Sequence, residues 1–170
     1  LLKGKEDLNT IIIFTSRKSS VKDIVRELKK MGLDADGISS DLDQSQREEV
    51  LRQFKNKRLR ILVATDIISR GIDIDSIDLV INYDVPNDPE DYVHRVGRTA
   101  RAKSSGVALT FIDEKGQHDF QKIEQLIEST VSKLPNPAKI GDGPTYEPGK
   151  FRSNYSHGKK KSYHGRQKKR

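Results

Sequence analysis

The 170-residue sequence contains no cysteine. Disulfides, thiolate metal sites and a cysteine nucleophile are therefore excluded, and because the composition fits a reducing interior we expect a cytoplasmic location. No run of apolar residues approaches the roughly 18 that a membrane-spanning helix needs, so we expect no membrane partner. The chain also lacks both a G-x-x-x-x-G-K-[ST] loop and a G-x-G-x-x-G loop, and it therefore has no phosphate cradle of its own.

Most of the chain has no net positive charge, and the whole excess is concentrated near its end. The formal net charge is +7, yet residues 1–139 have equal numbers of basic and acidic side chains. Residues 140–170 carry nine Lys or Arg and two acids. Clustered basic residues attract nucleic acid phosphates. The chain begins with Leu1 rather than Met, and we expect it to be a piece of a longer protein.

Short apolar runs alternate with amphipathic helical patterns along the first 130 residues. Buried strands are predicted at 10–15, 59–65 and 77–84, a weak strand at 34–40 and a further strand at 106–112. Helices are predicted at 19–32, 43–56, 87–96 and 118–130. The expected caps are Ser20, the pair Asp43 and Gln46, and Asp88 followed by Pro89, with Gly32 ending the first helix. Apolar strands separated by helices are typical of a mostly parallel sheet that helices cover on both faces, which predicts an α/β fold.

The apolar periodicity stops after residue 134, where the predicted domain of residues 1–134 ends. Residues 135–170 are rich in Pro, Gly, Ser and Lys, and we expect a basic, disordered tail. Aromatic side chains that can stack on unpaired bases are interspersed among its cations: Tyr146, Phe151, Tyr155 and Tyr163. A tether for RNA and a purely solubilising end are both open interpretations of this tail.

Three polar clusters are placed where ligands gather in parallel sheets, at the carboxyl ends of strands. They are residues 15–17, residues 65–73 and residues 94–101, and we expect them to converge. Taken singly, each has an ordinary explanation, because surface arginines are usually solvated or paired and a lone histidine is usually structural.

Five segments in this order resemble the motifs of the second RecA-like domain of DEAD-box RNA helicases. They are "IIIFTSR" (11–17), "QSQR" (44–47), "ATDIISRGIDI" (64–74), "VINYDVP" (80–86) and "HRVGRTAR" (94–101). The resemblance covers residues 10 to about 130, and the "RVGRTARA" and "LPNP" stretches look similar to bacterial RhlE-like members. The chain departs from the family at residues 39–41, which read Ser-Ser-Asp instead of the frequent His-Gly-Asp, and at Ala100, where many members have Gly.

The resemblance implies a role in ATP hydrolysis for several residues. In this family ATP with Mg²⁺ binds between two RecA-like domains, and the phosphate loop and the main Mg²⁺ ligands are on the first domain. Arg98 and Arg101 match the two arginines that reach the γ-phosphate, Asp73 matches the residue that accepts hydrogen bonds from the ribose, and Arg70 is assigned to the same nucleotide site. His94 matches a residue that couples domain closure to chemistry.

The resemblance also implies an RNA-binding surface. Thr15, Gln44, Arg47, Thr65 and Gly71 match positions close to the sugar–phosphate backbone, and backbone contacts carry little sequence specificity. The expected partners are RNA and the N-terminal RecA-like domain of the same protein, and we expect a monomer. The chain alone is expected to be inactive.

The predicted function is therefore half of an ATP-dependent RNA helicase. Two other interpretations remain open on the sequence: a stand-alone, non-enzymatic nucleic-acid-binding module, and a DNA-directed helicase of the same superfamily.

Overall fold

The computed structural model describes residue 2 and residues 7–66, 77–99 and 106–150. Within these ranges five strands form one sheet: β1 (Ile11–Phe14), β2 (Ala35–Ile38), β3 (Ile61–Ala64), β4 (Leu79–Asn82) and β5 (Val107–Thr110). All neighbouring strands are parallel, and their order is β2-β3-β1-β4-β5. The predicted parallel α/β fold is confirmed.

Four helices accompany the strands: α1 (Lys18–Lys30), α2 (Gln44–Lys55), α3 (Pro89–Val96) and α4 (Gln117–Leu126). A short 3-10 helix follows at Ala138–Ile140. None of the helices in the described ranges combines the length and the apolar character needed to cross a membrane.

Helices α1 and α2 cover opposite faces of the sheet. Successive residues of a strand point to opposite faces. Accordingly Ile12 and Phe14 of β1 belong to a buried cluster with Phe54 of α2, whereas Ile11 and Ile13 belong to a second cluster that α1 completes. Burial on both sides thus explains the apolar sequences of β1, β3 and β4. The expectation of full cover does not hold for β5, which lies at the end of the strand order and has Val107 58% exposed.

A third cluster joins α3 to α4. Tyr92 of α3 and Phe120 of α4 are buried and meet edge to face, with ring centroids 5.9 Å apart. Ile123 of α4 completes the buried part of this cluster. The pair of helices is therefore packed as one layer beside the sheet.

Two of the predicted caps are confirmed and one is wrong. Asp43 and Gln46 form a full capping box at the start of α2, and Asp88 caps α3, which has Pro at its start. Ser20 does not cap α1, because α1 begins at Lys18. The chain turns into the helix directly after β1, so that Ser20 lies in the first helical turn, where its amide donates to the carbonyl of Arg17.

The far end of α1 follows the prediction. Gly32 has a φ of +76°, in the left-handed region that glycine adopts without strain, and the helix ends two residues before it.

Part of the predicted tail is packed on the domain. Gln117 of α4 hydrogen-bonds the backbone of Thr145 and Glu147, and the ring of Tyr146 rests on Phe120. A buried amide and an aromatic pair therefore attach residues 145–147 to the domain. The boundary at residue 134 and the disorder of the tail stay predictions. Residues 151–170 lie outside the described residues.

Candidate functional site

Three neighbouring strands end in polar residues at one edge of the sheet. β1 lies between β3 and β4, so the carboxyl ends of these three parallel strands are side by side. Thr15 and Ser16 follow β1, Thr65 and Asp66 follow β3, and Asp84 follows β4. Ligands of open parallel sheets bind at an edge of this kind.

The carboxylate of Asp84 fastens the end of β1 to the end of β4. It accepts hydrogen bonds from Thr15 Oγ1 at 2.8 Å, from the Ser16 amide at 2.9 Å and from Ser16 Oγ at 2.6 Å. Thr15 is 0% exposed, whereas Ser16 is exposed. The assignment of Thr15 to RNA stays a prediction, and in this structure its hydroxyl points inward and already donates to Asp84.

Arg95 of α3 is completely buried and reaches the same edge. Its Nε and Nη2 donate to the two carboxylate oxygens of Asp66, at 2.6 and 2.7 Å. Its Nη1 donates to Asn82 Oδ1 at 3.2 Å and to the carbonyl of Asp84 at 3.3 Å, and the guanidinium carbon lies 5.4 Å from the centre of the Phe14 ring. One planar side chain therefore ties α3 to β1, β3 and β4 at once.

Sequence reasoning gave Arg95 no role, although a signal for one was present. In "PEDYVHRV" the buried residues Tyr92 and Arg95 are three apart, while Val93 and His94 between them are exposed. Residues three apart share a helix face. The spacing of Arg95 from the buried aromatic thus marks it as an inward-facing arginine.

The turn that follows α3 carries Arg98 and is packed against the start of β5. A Cβ added to Gly106 would stand 2.6 Å from Thr99 Cβ and 2.7 Å from the carbonyl oxygen of Ile77, so only glycine permits this approach. Thr99 is itself buried, and Arg98 is half-buried. The turn is therefore held on both sides of Arg98, by Arg95 through the sheet edge and by Thr99 through β5.

The expected convergence of the three polar clusters is only partly correct. The side chain of Arg95 joins the carboxyl edge, but Gly106 and Ile77 precede β5 and β4, so the turn with Arg98 lies near the amino ends of these strands. The reason is that α3 starts beyond the carboxyl end of β4 and leads back toward the start of the next parallel strand. The candidate site consequently has two parts, a polar sheet edge and an arginine-bearing turn, which α3 connects.

His94 lies on the solvent side of α3. It lines a shallow depression with Glu90 and Val93 of the same helix and with Leu126 and Ile127 at the end of α4. Its imidazole is exposed, which agrees with a role in contacting another domain, but the assignment itself stays a prediction.

Gln44 and Arg47 lie in the first turn of α2, next to the loop that follows β2. Gln44 is exposed, and its Nε2 donates to Glu48 Oε1 at 2.8 Å. Arg47 is half-buried, and its Nη2 lies 3.4 Å from the carbonyl oxygen of Ser40. The two side chains predicted to contact RNA therefore border the loop in which the chain departs from its family.

That loop is attached to α1 through Asp41. The carboxylate accepts from Lys22 at 2.8 Å and from Lys18 at 3.2 Å, and these two ammonium groups lower the pKa of Asp41. Ser39 is buried and its hydroxyl accepts the Asp41 amide at 3.3 Å. In this chain a buried serine and two lysines therefore hold the loop in the region where the family frequently has a histidine and a glycine.

The remaining predicted site residues are placed as follows. Thr65 lies at the carboxyl end of β3 and is 8% exposed. Arg70, Gly71, Asp73, Ala100 and Arg101 lie outside the described residues.

The described residues do not supply a set of Mg²⁺ ligands. No group of three or more His, Asp or Glu that could hold a metal ion occurs among them. The two carboxylates at the sheet edge are already engaged, Asp66 by the guanidinium of Arg95 and Asp84 by Thr15 and Ser16. A Mg²⁺ ion therefore does not fit this edge as it is built.

The five-stranded parallel sheet with helices on both faces is a RecA-like α/β domain, as its similarity to solved DEAD-box proteins shows. The chain belongs to the helicase family, since the model of the helicase conserved C-terminal domain matches residues 1–103.

Named relatives and solved structures agree with this family. The chain is 49% identical over 134 residues to "ATP-dependent RNA helicase dbp2" of Neurospora crassa, covering 79% of this chain and 24% of the relative. The crystal structure of a DEAD box protein from the hyperthermophile Methanococcus jannaschii is similar with a TM-score of 0.69 and 42% identity, covering 74% of this chain and 34% of that one.

A liganded structure is also similar. Dbp5 of S. cerevisiae bound to RNA and ADP BeF3 matches with a TM-score of 0.68 and 30% identity, covering 73% of this chain and 34% of that one. The chain spans between 22% and 36% of the length of the first curated relatives it matches, all of which are named as ATP-dependent RNA helicases.

Proposed function

We propose that the chain is the second RecA-like half of an ATP-dependent RNA helicase. One observation carries this proposal: the buried guanidinium of Arg95 fixes α3 to three strands, so that the turn with Arg98 is rigidly mounted. A cation stabilises developing charge best when it is held in place before the reaction, because no reorganisation is then needed. An arginine that completes the active site of a neighbouring domain needs a fixed position of this kind.

Arg98 and Arg101 are the residues that we assign to the γ-phosphate. ATP, when bound between the two domains, supplies a phosphoryl group whose transfer places negative charge on three equatorial oxygens. A planar, permanently charged guanidinium can donate two hydrogen bonds to such oxygens. Asp73 and Arg70 would hold the nucleotide from this domain, and His94 would contact the first domain from the exposed side of α3.

Mg²⁺ is proposed only for the complete protein. The described residues of this chain do not fit it, and its ligands would lie mainly on the N-terminal RecA-like domain. No step attributed to this chain depends on the ion.

RNA would lie along the carboxyl edge and the first turn of α2. Arg47 borders the loop of residues 39–41 together with Gln44 in the same helical turn. Thr15 and Thr65 follow neighbouring strands, and Gly71 is assigned to the same surface. Backbone amides, hydroxyls and cations at such an edge suit phosphates and sugars rather than base edges, so we propose binding without sequence specificity. Contacts to the 2′-hydroxyl would give the preference for RNA over DNA.

The partners follow from this assignment. The chain would work as a monomer together with the N-terminal RecA-like domain of the same protein, in the cytoplasm, where a sequence without cysteine needs no oxidising environment. RNA is the proposed nucleic-acid partner, and we propose no membrane partner.

The decisive experiment measures RNA-stimulated ATP hydrolysis by the longer protein with Arg98→Ala. Arginine fingers contribute roughly 10³–10⁵-fold in related phosphoryl-transfer enzymes, so we expect kcat to fall by about 10²-fold or more with a much smaller change in KM for ATP. Arg98→Lys should rescue little, because the planar fork is lost. Arg26→Ala is the matched control, since Arg26 is exposed on α1 and pairs with its helical neighbours Asp23 and Glu27. Near-normal kcat for Arg98→Ala would overturn the assignment.

Two comparisons test the alternatives. The 170-residue chain alone should hydrolyse no ATP even with saturating RNA, because it has no phosphate loop. RNA should stimulate the longer protein more than DNA of the same sequence. Equal stimulation by DNA would favour a DNA-directed helicase.

A further inference from the structure

We propose that α4 is a docking site for residues 145–147 of the same chain, which fixes the point from which the basic tail leaves the domain. The strap, residues 131–147, runs from the end of α4 back to its first turn. The proposal goes beyond the helicase assignment and does not depend on it.

The first part of the docking site is the amide of Gln117, at the start of α4. Its side chain is 1% exposed. Nε2 donates to the carbonyl of Thr145 at 2.8 Å, and Oε1 accepts the amide of Glu147 at 2.6 Å. Both ends of one buried side chain thus pair with the backbone on either side of Tyr146, in the way a neighbouring strand would.

The second part is aromatic. The ring of Tyr146 meets Phe120 edge to face with centroids 6.3 Å apart, and Phe120 in turn meets Tyr92 of α3. The ammonium of Lys133 lies 4.4 Å from the centre of the Tyr146 ring and 5.3 Å from that of Phe120. Residue 146 therefore extends the packed layer of α3 and α4 outward and is covered by a cation from the start of the strap.

The third part is the carboxylate of Glu124, which holds both ends of the strap. It accepts the amide of Val131 at 2.8 Å and the hydroxyl of Tyr146 at 2.9 Å, and it pairs with Lys133. Two residues from opposite ends of the strap thus share one acceptor. The two ends also contact each other directly, because the ammonium of Lys133 lies over the ring of Tyr146. Loosening either end removes this contact from the other, so that we expect the two ends to open together.

The middle of the strap contributes little to its attachment. Leu134 is 73% exposed and Ile140 is 70% exposed. Three of the six prolines of the chain lie within the strap. Prolines restrict the conformations of the detached segment and so lower the entropy cost of closing it. The strap is therefore attached at its ends and can open without unfolding the sheet.

The position of the strap decides how far the tail can reach. Residues 151–170 carry eight Lys or Arg and no acid. With the strap closed, the chain is attached to α4 up to residue 147. With the strap open, the last attached point is near residue 131, which adds about 60 Å of possible extension at roughly 3.3–3.6 Å per residue.

The test is amide hydrogen exchange on the 170-residue chain, followed residue by residue by NMR. Tyr146→Phe removes only the hydrogen bond to Glu124, and Gln117→Leu removes both hydrogen bonds to the backbone. Each substitution should accelerate exchange at both Val131 and Glu147. We expect a factor of about five or more, because one hydrogen bond contributes about 1 kcal/mol net to stability. The amides of Ile13, Val63 and Ile81 in the sheet should not change.

Tyr83→Phe is the matched control, because it makes the same substitution at an exposed tyrosine that follows β4. It should alter exchange at neither end of the strap. Two outcomes would overturn the proposal. Acceleration at only one of Val131 and Glu147, or at neither, would mean that the ends do not open together, and acceleration that includes the sheet would mean that the strap opens only when the core unfolds. The exchange measurements use neither nucleotide nor RNA. Failure of the helicase assignment would therefore leave the result for the strap unaffected.

Discussion

Arg95 and Arg98 are separated by one helical turn and have opposite surroundings. Arg95 is 0% exposed and makes four hydrogen bonds to three residues of the sheet edge. Arg98 is half-buried in the following turn. Arg95 therefore holds the helix in place, and Arg98 in the following turn is the residue proposed to act on the nucleotide.

Arg95→Ala should destabilise the domain much more than Arg98→Ala. Removal of one partner of a buried ion pair leaves the other charge unpaired and costs about 3–5 kcal/mol. Arg95→Lys should recover only part of this, because an ammonium cannot bridge Asp66, Asn82 and Asp84 at once. Urea unfolding of the 170-residue chain measures the difference, with Arg26→Ala as the control expected within about 0.5 kcal/mol of the unsubstituted chain. Equal stability of the Arg95→Ala chain and the control would contradict the bridging role.

The two substitutions should therefore reduce activity for different reasons. An Arg95 variant that still folds should lose RNA-stimulated turnover because the mount of Arg98 is loosened, while an Arg98 variant should lose turnover in a domain of normal stability.

At the level of elements, the contact of the strap with α4 depends on two ionisable groups. Burial would raise the pKa of Glu124, but hydrogen bonds from Lys133, Val131 and Tyr146 outweigh it, so that the pKa is lowered. Burial, and next the hydrogen bond to Glu124, raise the pKa of Tyr146 far above its usual value of 10.0. The lowered carboxyl pKa stabilises the docked strap above the ordinary pKa of glutamate, and this contribution is lost as the pH falls through the folded-state value. The raised phenol pKa stabilises it below pH 10 and is lost as the pH rises further.

Glu124→Gln should therefore bring the titration of Tyr146 back toward that of an ordinary tyrosine. The substitution removes the negative charge that opposes ionisation of the phenol, although burial still acts on it. Alkaline titration by ultraviolet absorbance, as the difference between each chain and its Tyr146→Phe counterpart, isolates this one tyrosine. If Tyr146 ionises at the same pH with and without the Glu124 carboxylate, the hydrogen bond does not hold the strap as described.

The elements that sequence reasoning found are those with local signals. The capping box of Asp43 and Gln46 and the start of α3 at Asp88 and Pro89 depend on residues within four positions of one another, and both are confirmed. Ser20 has the right chemistry for a cap, but the position of the helix is set by the end of β1, where Asp84 holds Ser16 across 68 residues of sequence. Local capping preference cannot include such a long-range contact.

Long-range contacts also explain why the sequence predicted neither the role of Arg95 in the site nor the attachment of the strap. Arg95 binds Asp66 across 29 positions, and Gln117 binds Thr145 across 28. Nothing in the composition of residues 135–150 distinguishes a docked segment from a free one, because a single aromatic ring and two backbone hydrogen bonds decide the difference. The order of motifs predicted the family, whereas the division of the site between the sheet edge and the Arg98 turn required the path of α3.

At the scale of the whole molecule, α3 joins two separate surfaces. Its start and the side chain of Arg95 belong to the carboxyl edge, where the RNA-facing residues are proposed, and its end carries the turn proposed to face the nucleotide. A shift of the strand ends that moves Asp66 or Asp84 would be transmitted to Arg98 through one rigid side chain. Under the proposed function, this connection through α3 would couple RNA binding at the sheet edge to ATP hydrolysis at the Arg98 turn.

The third charged region of the molecule is the basic segment after the strap. Residues 151–170 carry eight of the 32 Lys and Arg residues of the chain and no acid, so that without them the net charge would be slightly negative. Phe151, Tyr155 and Tyr163 are spaced among these cations and can stack on unpaired bases. Under the tether interpretation, a cationic segment joined to the domain would raise the local concentration of RNA without any change in the catalytic residues.

Removal of residues 151–170 from the longer protein should therefore leave the maximal RNA-stimulated ATPase rate unchanged and raise the RNA concentration needed to reach half of it. The log–log dependence of RNA affinity on salt should also flatten by about 0.7 for each single-strand phosphate that the segment no longer neutralises. The experiment titrates RNA against ATPase rate at several salt concentrations. A cut after residue 150 keeps the strap docked, so that the effect of charge is not mixed with a change of packing on α4.

The matched control keeps the length but replaces the eight Lys and Arg with Gln, and it should behave like the truncation. Unchanged half-saturation and an unchanged salt slope would mean that the segment serves to solubilise the protein instead of tethering RNA.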